Sequence, residues 1–146
     1  MKVRELMTSE PATVGPGATL GEVATLMKQE DCGSIPVVDD GRLVGIVTDR
    51  DIVIRAVAAG KDPKGLRVSE VMSADPITVT PTDDVAKAEK LMADRQVRRL
   101  PVVEGGALVG ILVTAQIARS ENDRKTGQTL KEISAPASGR GSHARG

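Results

Sequence analysis

Residues 33–52 read Gly33-Ser34-Ile35-Pro36-Val37-Val38-Asp39-Asp40-Gly41-Arg42-Leu43-Val44-Gly45-Ile46-Val47-Thr48-Asp49-Arg50-Asp51-Ile52. Two apolar runs, Ile35 to Val38 and Leu43 to Val47, flank Asp39-Asp40-Gly41, whose residue types favour a tight reversal. That spacing is a β-hairpin. Sixty-five places later the pattern returns as Leu100 to Val103, a Glu104-Gly105-Gly106 turn, and Leu108 to Val113. Laying residues 3–52 over 68–117 without a gap gives 18 identities in 50 pairs, where average composition gives roughly four. The identities fall in blocks. Val3, Glu5 and Met7 meet Val68, Glu70 and Met72; Pro11, Thr13, Val14 and Pro16 meet Pro76, Thr78, Val79 and Pro81.

Working outward, each copy carries a helical stripe before its hairpin: Leu20, Val23, Leu26 and Met27, then Val85, Ala88, Leu91 and Met92. Thr19 with Glu22 three residues on is a capping box for the first. Asp83-Asp84 reads as the start of the second. Another amphipathic helix follows each hairpin, from about Asp49 to Ala59 before Gly60, and to about Asn122 in the second copy. The order extended segment, helix, strand, strand, helix, given twice, predicts an α+β fold. Repeat 1 occupies 1–59, a linker 60–67 and repeat 2 68–122. Residues 123–146 form an extension, expected to be flexible from about 135, where Ala, Ser, Gly, Pro and Arg dominate. Two copies are too few for a solenoid and predict a pair related by a pseudo-two-fold axis.

Composition narrows the function. The 146 residues carry 20 basic and 20 acidic side chains, a net charge of zero, whereas a sequence-independent nucleic-acid binder needs an excess of Lys and Arg. Phe, Tyr and Trp are absent, so no base can stack on an aromatic ring. Nucleic acid is therefore not an expected partner. A lone cysteine, Cys32, excludes an internal disulfide and a thiolate-rich zinc site. Such a residue is more often a small buried hydrophobe than a redox sensor. His143, the only histidine, sits in the tail, which removes Ser-His and Cys-His catalysis. The chain reads as a non-enzyme requiring neither cofactor nor metal. Its start, Met1-Lys2-Val3-Arg4-Glu5-Leu6, lacks the apolar stretch of a signal peptide. The longest apolar run, Ala107 to Val113, is far short of a membrane span. A cytoplasmic location is expected.

The run Gly33 to Ile52 and its second copy, Arg98 to Ile117, resemble the CBS domain. The tandem arrangement, over roughly residues 1–120, resembles a Bateman module of the small stand-alone bacterial kind. The resemblance implies two pseudo-two-fold-related β-α-β-β-α repeats with two clefts between them. In many members these hold AMP, ATP or S-adenosylmethionine, and members commonly form disc-like homodimers that regulate an enzyme or transporter. Some bind no ligand.

The ligand motif that the resemblance implies is Gly, two apolar residues, Thr or Ser, two variable residues, then Asp. It is complete once, from Gly45 through Thr48 and Arg50 to Asp51. One carboxylate can accept from both hydroxyls of a ribose. Thr48 falls where a strand gives way to a helix, so its hydroxyl and the helix-start amides can meet a phosphate. Thr48 and Asp51 also fit a plain helix cap, and both readings stand. The second copy has Val113 and Gln116 at these places, which predicts one competent and one degenerate site per chain. Base contacts fall to Ile35, Pro36 and Val14, with Thr13 beside them; all also read as core or hairpin residues. Arg98 and Arg99 are expected to offer forked phosphate donors at the central groove, with Arg50 and Arg55 as lesser contributors. Solvated or interface arginines are the alternative. Two functions follow: a homodimeric sensor of adenine nucleotides acting on an effector protein, or a ligand-free structural dimer.

Overall fold

A computed structural model describes the backbone of residues 1–133 and the side chains of residues 1–124. The tail expected to be flexible from about 135 lies outside the described residues. Both hairpins form as predicted. Strands β2 (Ser34–Asp39) and β3 (Arg42–Thr48) turn through Asp40 and Gly41, at φ +52° and +79°. Strands β5 (Arg99–Glu104) and β6 (Ala107–Val113) turn through Gly105 and Gly106, at φ +60° and +84°. Two consecutive left-handed residues make the reversal whose twist matches the strands, hence Asp-Gly and Gly-Gly.

Helix α1 (Leu20–Glu30) starts at Thr19, whose Oγ accepts from Glu22 N at 3.2 Å. It buries Leu20, Val23 and Met27 against the first hairpin. Helix α3 (Val85–Arg95) does the same in the second repeat with Val85, Ala88 and Met92. The helices after the hairpins differ. Helix α2 (Asp49–Ile52) widens at once into a π-helical turn over Val53–Val57, where Ala58 N donates to Val53 O at 2.8 Å. Gly60, at φ +73°, ends it. Helix α4 (Thr114–Ile133) runs well past the end expected near Asn122, through good helix formers such as Arg124, Gln128 and Leu130.

The tertiary connection is one that the repeat does not display. Strand β1 (Thr8–Ser9) crosses to the other repeat and pairs with β6, Thr8 opposite Ile111 and Ser9 opposite Gly110. Strand β4 (Ser73–Ala74) crosses back and pairs with β3, Ser73 opposite Ile46 and Ala74 opposite Gly45. These registers are the same pair displaced by 65 residues, so the pseudo-two-fold holds at the residue level. The turns before the strands cross too. Val3 N donates to Asp83 O at 2.9 Å, and Val68 N to Ala18 O at 2.7 Å. Val3 is buried in the core of Val79, Leu100, Val102 and Leu112, while Val68 and Val71 are buried with Leu20, Val23, Ile35 and Val47. Each core thus borrows the segment that precedes the other repeat. Gly45 and Gly110 let the borrowed strands lie close: a Cβ there would stand 3.0 Å from Ser73 O and 2.9 Å from Thr8 O.

Asp84 is placed at the N-terminus of α3 but does not cap it; its carboxylate pairs with Lys2 Nζ at 2.9 Å, tying the N-terminal segment to repeat 2. The Lys2 ammonium holds Asp84 below the ordinary carboxylate pKa. Asp83 is likewise lowered, chiefly because its carboxylate accepts from Thr80 N at 2.8 Å. Among the described residues no helix is long and apolar enough to cross a membrane.

Candidate functional site

At the β3–α2 junction the backbone changes from extended to helical at Thr48, φ −114° and ψ 161°. Thr48 Oγ accepts from Asp51 N at 3.1 Å, and Asp51 Oδ2 accepts from Thr48 N at 3.0 Å. This is the reciprocal helix cap. Asp49 N donates to Gly33 O at 2.9 Å and Arg50 N to Asp49 Oδ1 at 2.8 Å. The amides from 48 to 51 are therefore all paired within the chain, and the helix-start amides expected to meet a phosphate are engaged. What this corner still offers is side-chain chemistry. The Thr48 hydroxyl keeps its hydrogen to donate. Asp51 Oδ1 lies 3.9 Å from Arg55 Nη1, with the carboxylate side chain 14% exposed. Arg55 is itself held by the borrowed segment, donating to Val71 O at 2.8 Å and Met72 O at 3.2 Å.

The matching corner of repeat 2 has the same frame and different chemistry. Thr114 N donates to Arg98 O at 2.9 Å, as Asp49 N does to Gly33 O. Gln116 Oε1 accepts from Val113 N at 2.9 Å, copying the Asp51 cap. Its amide nitrogen donates to Thr8 Oγ at 2.5 Å, on the borrowed strand β1. A carboxylate has no such proton. Gln116 therefore fastens a strand, where Asp51 keeps an acceptor oxygen.

A cleft of about 190 Å³ opens between the repeats. Thr8, the Glu10–Ala12 loop, Ile35 and Pro36 meet Arg99 and Val113 there. Ile35 and Pro36 thus gather with the degenerate Val113 corner. The same relation displaced by 65 residues sets Thr48 opposite Ser73 and Asp75–Ile77, with Leu100 and Pro101 in the places of Ile35 and Pro36. Those residues were missed by the sequence reading, which drew the base contacts from the first repeat alone. Glu10 and Asp75, at φ +51° and +52°, are equivalent left-handed residues in the two loops, a conformation uncommon outside glycine.

The other candidates separate. Val14 lies along β2, its N donating to Pro36 O at 3.2 Å and its O accepting from Val38 N at 2.9 Å, with exposed Thr13 before it. Arg99 lines the cleft, whereas its neighbour Arg98 lines a groove between α3 and α4. Consecutive side chains at the head of a strand point to opposite faces, so the two arginines do not act together. Arg50 is exposed on α2. Cys32 is half-buried at the cleft, its thiol 3.6 Å from Ser34 O. Among the described residues no three His, Cys, Asp or Glu side chains are grouped to hold a metal.

The family model for the CBS domain matches twice, over residues 3–57 and 68–121. The chain belongs to the CBS domain family. The CBS domain-containing protein YhcV of Bacillus subtilis (strain 168) is 43% identical over 133 residues, 90% of this chain and 94% of YhcV. The crystal structure of Hypoxic Response Protein I with two coordinated zinc ions has a TM-score of 0.76 and 38% identity, covering 82% of this chain and 98% of its own. The crystal structure of CBSX2 in complex with AMP has a TM-score of 0.75 and 27% identity, covering 85% of this chain and 98% of its own. The architecture of two β-α-β-β-α repeats is that of a tandem CBS pair.

Proposed function

We propose that this CBS pair is a regulatory binding module for adenosine-containing nucleotides, with one competent site per chain and no chemistry of its own. The observation that carries the reading is the contrast between the two corners. Thr48 retains a hydroxyl donor and Asp51 an acceptor oxygen, while Val113 has no polar group and Gln116 is engaged with Thr8. The competent site is the Thr48 corner, with Asp51 taking the ribose hydroxyls and Thr48 a phosphate. Asp75–Ile77, Leu100 and Pro101 enclose the base in the place that sequence reasoning gave to Val14, Ile35 and Pro36. By the same displacement Arg99 takes the place of the cleft-lining Ser34, and it is the phosphate cation of this site. The AMP bound by CBSX2, a pair of the same architecture, supports the ligand class. The module acts as a cytoplasmic homodimer, and ligand bridging the repeats shifts the population of conformations that an effector protein reads.

Titration with AMP tests the reading. One molecule per chain is expected; two equal sites, or no binding of AMP, ADP, ATP or S-adenosylmethionine, would overturn it. A saturating ligand at 100 times its Kd adds about 2.7 kcal/mol of stability, readable as a rise in Tm. Asp51→Asn keeps an oxygen for Thr48 N and removes the charge. It is expected to hold the Tm of the free protein and weaken binding by at least about tenfold.

A ligand-free dimer is the second reading. The closed cap at Thr48 favours it, since every amide of that corner is satisfied without a ligand. The same titration decides between the two.

A further inference from the structure

Arg55 joins two parts of the molecule that the chain brings to the Thr48 corner from different repeats. Its Nη1 donates to Val71 O at 2.8 Å and to Met72 O at 3.2 Å, and it lies 3.9 Å from Asp51 Oδ1. One guanidinium therefore meets the carboxylate of repeat 1 and the end of the segment borrowed from before repeat 2. That segment continues as β4 into Asp75–Ile77, the loop opposite Thr48. The contact spans both walls of the site.

The second repeat lacks the device. Sixty-five places on, the counterpart of Arg55 is Ser120, whose hydroxyl stands 3.8 Å from Met1 Sδ. A hydroxyl has a single proton to donate and cannot serve an acidic group and two carbonyls together. The helices differ in the same place. Around Arg55 the chain widens into the π-helical turn Val53–Val57, whereas α4 runs as one α-helix through Ser120. Single π-helical turns recur at functional sites. The repeat that keeps an acceptor oxygen on residue 51 is also the one that keeps the guanidinium.

We propose that Arg55 is a positioning residue for the nucleotide. Thr48 N fixes Asp51 Oδ2 and Arg55 faces Oδ1, so the carboxylate plane is held for the two ribose hydroxyls before they arrive. Through Val71 O and Met72 O the same planar fork steadies the segment that delivers the base-enclosing loop. Arg55 touches no part of the ligand in this role, which replaces the lesser phosphate contact expected of it from the sequence. The inference rests on the nucleotide reading of the preceding section and names the residue that readies that site.

Titrating the full chain and its Arg55→Met variant with AMP, 2′-deoxy-AMP and adenosine tests the role. The wild-type chain is expected to prefer AMP to 2′-deoxy-AMP by about tenfold, because Asp51 meets both hydroxyls. Arg55→Met is expected to weaken AMP by about tenfold and to shrink that preference below about threefold, with the ratio of AMP to adenosine affinity unchanged. A preference kept at its wild-type value overturns the positioning role. So does a loss confined to AMP with adenosine binding intact, which makes Arg55 a phosphate contact. In the ligand-free protein Arg55→Met should speed hydrogen exchange at Met72–Ala74 and leave the counterpart amides Met7–Ser9 unchanged; equal rates at Met72–Ala74 overturn the tie to the segment. Where Arg55→Met lowers the yield of folded chain, Arg55→Lys carries the same comparisons, since one ammonium cannot hold the carboxylate and both carbonyls. A wild-type chain that binds AMP and 2′-deoxy-AMP alike, or binds neither, overturns the ribose role of Asp51 and the positioning role with it, while exchange at Met72–Ala74 still reads the tie.

Discussion

Asp51 and Gln116 occupy equivalent positions and make the same bond to a backbone amide, at 3.0 and 2.9 Å. Their difference lies in what the rest of each group can do. The carboxylate has a second acceptor; the amide has a donor, and that donor holds Thr8. Gln116→Ala removes both bonds and leaves Val113 N uncapped. The expected cost is about 1–2 kcal/mol of stability, measured by denaturant unfolding, with faster hydrogen exchange in residues 1–9 and unchanged nucleotide affinity. Asp51→Asn gives the opposite result, affinity lost and stability kept. If both variants changed the same property, the division of labour between the corners would be wrong. The Thr48-to-Asp51 spacing announced a cap and a ligand motif at once, and both uses fit the geometry, since capping occupies only one carboxylate oxygen.

At the scale of elements, each crossing segment combines a buried valine and backbone pairing with exposed polar ties. The N-terminal one is held by Val3, by backbone bonds joining Met1, Val3 and Arg4 to Val85, Asp83 and Pro81, by the β1–β6 pairing with Gln116 on Thr8, and by the Lys2–Asp84 pair. Asp83 and Asp84 both have pKa values lowered from 3.8. Such groups contribute stability that is complete above the unfolded pKa and is lost as pH falls through the lower folded value. Acidification through that window is therefore expected to release residues 1–9 from repeat 2 before the hairpins open. Hydrogen exchange followed at decreasing pH checks this. Raising the salt concentration at neutral pH should weaken the Lys2–Asp84 tie in the same direction, because an exposed pair is screened. Protection in residues 1–9 that is indifferent to both would show that Val3 and the neutral pairing of the segment hold it without the carboxylates.

For the whole molecule, exchanging segments couples two cores that are each near the lower limit of independent stability. Unfolding one repeat strips the other of its Val3 or Val68, both fully buried. A single unfolding transition is expected by calorimetry, and Val3→Ala and Val68→Ala should each lower that same transition, by about 1–3 kcal/mol. Two resolved transitions, each answering to one variant, would show independent halves. The coupling also gives a ligand in either cleft a hold on both repeats, since each cleft is lined from both sides of the pseudo-two-fold.

The repeat, the two hairpins, the capped helices and the Thr48-to-Asp51 spacing were written in the sequence alone, because each is decided by residues a few places apart. Asp-Gly and Gly-Gly turns, an oxygen three residues before an amide, and apolar side chains every third or fourth place all act locally. Which corner faces which loop was decided only in three dimensions. Strands β1 and β4 have two residues each, too short to show alternation, and their partners lie about a hundred and about thirty residues away. Their crossing brought Ile35 and Pro36 together with the Val113 corner through Thr8 and the Glu10–Ala12 loop. Contacts so distant along the chain carry no local signature, because what selects them is the burial of Val3 and Val68 in cores that exist only once both repeats have folded.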